Sequence, residues 1–90
     1  MKQEQRETIA KLAIEKYGNA AQLRQLQEEC AELIVAVNHF FLHRQNAREE
    51  LIEEFADVTI VLMELTPSLN YKDELTNMID YKLGRISSIL

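Results

Sequence analysis

Glu28-Glu29-Cys30-Ala31-Glu32 and, further along, Glu53-Glu54-Phe55-Ala56-Asp57 are the two stretches on which the fold of this chain turns. In each, two carboxylates stand three residues apart, one helical neighbour step, so Glu29 and Glu32 leave one face of a helix, and Glu54 and Asp57 leave one face of another. At about 100° per residue, the apolar arc of the first of these helices runs through Phe40, Leu33, Leu26, Val37, Cys30, Leu23, Phe41 and Ile34. Glu29 falls at the edge of that arc and Glu32 about 60° further out. The arc of the second holds Val61, Leu65, Val58, Leu51, Leu62 and Phe55, with Glu54 inside it and Asp57 at its rim. A lone carboxylate on an inward face costs several kcal/mol or takes up a proton. A divalent cation held by the four carboxylates is the simplest compensation.

Working outward, the period is helical throughout, and the expected class is all-α. One helix is predicted from about Gln3 to Lys16, with Ile9, Leu12, Ala13 and Tyr17 on its apolar side. Gly18-Asn19 ends it. A second runs from about Ala21 to Leu42, and His43-Arg44-Gln45-Asn46 is a polar turn. Asn46-x-x-Glu49 has the spacing of a capping box for a third helix, which Pro67 is expected to close near Thr66. Asn70 is the expected cap of a fourth, with Leu75, Ile79, Leu83, Ile86 and Leu90 on its apolar side. Short connections between long helices force antiparallel neighbours, hence a small antiparallel bundle of about four helices in a single domain, 1–90.

Bulk properties narrow the function. At 90 residues, 47% hydrophobic, with two Gly and one Pro, the chain is folded and regular rather than disordered. A net charge of −5 argues against binding nucleic-acid polymers, which needs clustered Lys and Arg. Cys30 has no partner, so no disulfide framework exists and a reducing, cytoplasmic location is expected. Neither a membrane span nor the apolar core of a signal peptide is visible. The two central helices are apolar beyond one stripe: Ala31, Val35 and Leu42 on one, Ile52, Ala56, Ile60 and Met63 on the other. A chain this short hides only roughly 60–65% of its unfolded surface, so completion by homo-oligomerisation, as a homodimer or homotetramer, is expected.

The acidic motifs, Glu28-Glu29-Cys30-Ala31-Glu32-Leu33 and Glu53-Glu54-Phe55-Ala56-Asp57-Val58, resemble those of the MazG-like all-α nucleotide pyrophosphohydrolases, E-E-x-x-E followed by E-x-x-D. Tyr17-Gly18, Gln25-Leu26 and Lys82-x-x-Arg85 look like the family too, and the resemblance spans roughly Tyr17 to Arg85. Ala31 and Ala56 stand where that family commonly has Gly. The resemblance implies hydrolysis of a nucleoside triphosphate to monophosphate and pyrophosphate, dependent on Mg2+ or Mn2+. It assigns metal binding to Glu29, Glu32, Glu54 and Asp57. Glu28, beside the cluster, is the candidate to orient or deprotonate the attacking water, and Lys82 and Arg85 would supply counter-charge to the phosphates.

Each reading has a plainer rival. Glu28 and Glu53 suit solvent, Lys82 and Arg85 suit a helix C-terminus, and Phe40, Phe41 and Phe55 suit a core. His39 and His43, one turn apart at a helix end, read as solvated. Glu50 shares the stripe of Glu54 and could serve a second ion, but also suits a helix N-terminus. The rival for the whole protein is a catalytically inert helical interaction module whose acidic stripe docks a basic partner. Such a stripe gives no reason to place Glu54 inside an apolar arc.

Overall fold

Helical periodicity is realised along nearly the whole chain. The computed structural model describes residues 1–90 as α1 (Gln3–Tyr17), α2 (Asn19–Phe41), α3 (Ala47–Ser68) and α4 (Lys72–Ser87), without strands. Between α1 and α2 the chain turns at Gly18, whose φ of 84° and ψ of 163° lie in a region essentially restricted to glycine. Its N–H donates to the Ile14 carbonyl at 2.8 Å, closing α1. No helix is long and apolar enough to cross a membrane.

Helices α2 and α3 are antiparallel neighbours, and polar side chains join them from end to end. The Ser68 hydroxyl donates to the Asn19 side chain, and Gln22 Nε2 donates to Glu64 at the same end. The four carboxylates follow in the middle. At the far end His39 Nδ1 lies 3.0 Å from Glu50. Partner numbers rise on α2 as they fall on α3, as an antiparallel pair requires. Between these rungs sit Ala36, fully buried, and Val61, with Leu65 the one large side chain wholly enclosed. Helix α1 packs mainly on α3, burying Ala10. Alanines at such positions let helix backbones approach closely, but they bring little apolar area each.

Several expectations are corrected. Asn46 does not cap α3 through its side chain. It is left-handed at φ 62°, like His43 at 54°, because reversing the chain so tightly needs two such residues and Asn tolerates that geometry. Asn70, at φ 55°, plays the same part before α4, leaving Tyr71 at the cap position. Helix α3 runs through Pro67 to Ser68; so near a C-terminus the missing N–H removes a single bond, and Leu69 still donates to Leu65.

On α3 the expected arc faces inward, with Val61 and Leu65 buried, but on α1 and α2 much of the apolar arc is rotated away from the intrachain contacts. On α2, Leu23, Cys30, Ile34, Phe40 and Phe41 are exposed, while the edge of the arc, through Gln22, Glu29 and Ala36, faces α3. In α1 the inward residue is Ala10, with Ile9, Leu12 and Tyr17 exposed. Helix α4 packs against no other helix to any extent and buries nothing.

Candidate metal centre

Seven-residue spacing builds the site. Gln22, Glu29 and Ala36 recur at i, i+7 and i+14 along α2, with Gln25 and Glu32 in the same stripe. On α3 the matching stripe is Glu50, Glu54, Asp57, Val61 and Glu64. Where the two stripes cross near their middles, Glu29, Glu32, Glu54 and Asp57 come together. One carboxylate oxygen from each lies within 4.8 Å of all the others. Glu29, Glu54 and Asp57 are half-buried and Glu32 is exposed, so the cluster opens to solvent on one side.

The electrostatics are strained by this arrangement. Burial pushes the Glu29 carboxyl above its ordinary range; a hydrogen bond from Gln25 Nε2 at 2.6 Å opposes the shift, and the charges of Asp57 and Glu32 add to it. Burial also raises Glu54, reinforced by Glu32, Asp57, Glu29 and Glu53 in turn. Two oxygens, Glu29 Oε2 and Glu54 Oε2, are fully buried with no hydrogen-bond partner. Buried acceptors of this kind normally find one. No Lys or Arg forms an ion pair anywhere in the chain, so the cluster holds no internal counter-charge.

This donor set suits a hard cation. Mg2+ and Mn2+ take oxygen ligands. Oxygens on opposite sides of an octahedral Mg2+ lie about 4.2 Å apart, so the spread of the cluster is close to that of one coordination shell. An ion would satisfy both orphaned oxygens and remove the mutual repulsion.

The other sequence candidates fall in different places. Glu28 is exposed beside the cluster, as is Glu53. Lys82 and Arg85 lie on α4, exposed, and they line a shallow depression with Ile86, Ser88 and Ile89 rather than joining the carboxylates. His39, expected to be solvated, is 24% exposed and paired with Glu50, which therefore closes the end of the seam. His43 is exposed in the turn. Sequence reasoning missed Gln22 and Glu64 as a buried pair. The signal was present: each sits seven residues outward from a cluster member, Glu29 and Asp57, on the same stripe. Comparison of the chain with family models, with characterised proteins and with solved structures gave no match.

Proposed function

We propose that the protein is a Mg2+-dependent nucleotide pyrophosphohydrolase of the MazG-like kind, converting a nucleoside triphosphate to monophosphate and pyrophosphate. The observation that carries this reading is the pair of buried, unpartnered oxygens of Glu29 and Glu54 within a four-carboxylate cluster. The two acidic motifs resemble those of that family over most of the chain. A docking stripe for a basic partner would keep its carboxylates hydrated; Glu54, buried enough to raise its pKa, is poorly suited to that task.

Glu29, Glu32, Glu54 and Asp57 would hold the ion. When bound, it supplies charge neutralisation at the phosphates and lowers the pKa of a water. The reaction joins that water's oxygen to the α-phosphorus and breaks its bond to the bridging oxygen, releasing pyrophosphate. Gln25 keeps Glu29 oriented through its hydrogen bond, and Glu28, exposed and next to Glu29 in sequence, would accept the water's proton. Pyrophosphate release from a panel of nucleoside triphosphates, with Mg2+ and with EDTA, tests the reading. Metal-dependent release is the expected result. Silence across the whole panel would leave the inert interaction module as the better account.

A further inference from the structure

Glu29 is the one member of the four-carboxylate cluster that already accepts a hydrogen bond from a neutral side chain. Gln25 Nε2, one turn earlier on α2, donates to Glu29 Oε1 at 2.6 Å. The two oxygens of Glu29 are thereby divided: Oε1 belongs to Gln25, and Oε2 is buried without a partner. Glutamine pairs at this spacing on an exposed helix surface contribute little. This one is placed otherwise. Gln25 is half-buried, in the seam stripe that runs Gln22, Gln25, Glu29 and Glu32. The register that pairs Gln22 with Glu64 sets Val61 across from Gln25, three residues along on each helix. Val61 is buried and apolar, so the seam offers the Gln25 amide no polar group directly across, and it donates along α2 instead.

The dimensions of the cluster do not choose between hard divalent ions. Mg2+ holds its oxygens at about 2.0–2.1 Å and Ca2+ at about 2.3–2.6 Å, and four oxygens within 4.8 Å of one another suit a shell of either size. The number of oxygens is what separates the two. An octahedral Mg2+ is complete with about six ligands and keeps several waters, so one oxygen from each carboxylate is enough. Ca2+ takes about six to eight and often draws both oxygens of a carboxylate.

We propose that Gln25 sets the ion preference of this centre: by holding Glu29 Oε1 it leaves Glu29 a one-oxygen ligand through Oε2, biasing the cluster towards Mg2+ and Mn2+ and away from Ca2+. Gln25 is a positioning residue. It acts through Glu29 and has no contact with the ion, as second-layer partners of metal ligands commonly do. The inference rests on the metal assignment made above and is independent of the nucleotide that is hydrolysed.

Isothermal titration with Mg2+, Mn2+ and Ca2+ tests this without reference to activity, on the wild type, Gln25→Met and the control Gln27→Met, exposed on the same helix. Methionine keeps the length and helix preference of glutamine and removes the donor. Gln25→Ala, which also lacks it, repeats the measurement should the longer side chain perturb the seam, with circular dichroism confirming the fold of each. In the Gln25 variants Mg2+ and Mn2+ affinity is expected to fall about tenfold. Ca2+ affinity should hold or rise, since Glu29 then offers both oxygens, so the Mg2+ to Ca2+ ratio shifts by about tenfold towards Ca2+. Gln27→Met should leave the ratio where it is. Equal losses for all three ions would mark Gln25 as a structural rung only and overturn the proposal, as would an unchanged ratio. A wild type that binds none of the ions overturns the proposal together with the metal assignment. A shifted ratio in a protein that releases no pyrophosphate upholds the role of Gln25 and removes the hydrolase reading alone.

Discussion

Glu54 and Glu53 are neighbours in sequence with opposite circumstances. Glu54 has a buried, unpartnered oxygen among three other carboxylates, and Glu53 is exposed. Glu54→Gln keeps the shape and removes one repelling charge, so stability is expected to hold or rise. Hydrolysis is expected to fall a hundredfold or more in kcat/KM, about 2.7 kcal/mol of transition-state stabilisation. Glu53→Gln should stay near wild type. Steady-state kinetics with circular dichroism on both variants checks this, and an active Glu54→Gln removes the metal assignment. The raised pKa values of Glu29 and Glu54 also have a sign. In the folded metal-free protein these groups hold their protons to higher pH than when unfolded, so folding is favoured below their ordinary range. That advantage disappears as pH rises through the raised values. Thermal melts in EDTA should therefore show these groups destabilising the fold between weakly acid and neutral pH. Mg2+ should reverse this most strongly at neutral pH, where no protons compete for the carboxylates. Equal Mg2+ effects at both ends of that range would contradict it.

Polar rungs run along the α2–α3 pair beside its buried Ala36, Val61 and Leu65, and its ends are closed by Gln22–Glu64 and His39–Glu50. Glu64 is 6% exposed and Gln22 is 9% exposed, and Gln22 is the one partner found for that carboxylate. Gln22→Ala leaves a buried acceptor unsatisfied, a cost of about 1–3 kcal/mol. Chemical denaturation of this variant should show a loss of that size, while Gln27→Ala, exposed on the same helix, changes little. A loss below the uncertainty of extrapolation would mean that the pair does not secure the seam. The register it secures also sets Glu29 opposite Asp57, so an altered Gln22 should weaken metal binding as well as stability.

At the scale of the whole molecule, five buried apolar residues, three of them alanines, are a small core for 90 residues. Domains of this size are marginal even when compact. The expected state in solution is therefore a dimer or larger, and light scattering at micromolar concentration should find no stable monomer. A well-folded monomer would contradict this. Divalent metal should stabilise the same assembly. An ion that binds only the folded state adds about 2.7 kcal/mol at a hundredfold excess over Kd. For a chain of this length that is a rise of order 10 °C in Tm. Differential scanning calorimetry with Mg2+, Mn2+ or EDTA measures it.

Local periodicity determined the helices on its own, together with the Gly18 break and the two carboxylate pairs, because each depends only on neighbours within a turn or two. It also placed Glu29 and Glu54 at inward positions, and the structure brings those residues together with Glu32 and Asp57. The side of each helix that meets its neighbour was a different matter. The widest apolar arc on α2 was the natural inward face, yet within the chain α3 takes the edge of that arc, where Glu29, Gln22 and Ala36 lie. Hydrophobic pattern records all the surfaces a helix must cover and does not say which neighbour covers them. The same limit applies to His39, whose partner Glu50 stands eleven residues away across the turn, and to Asn46 and Asn70, which the turns recruit for backbone geometry rather than capping. Those choices depend on how two helices cross, and only the tertiary structure decides that.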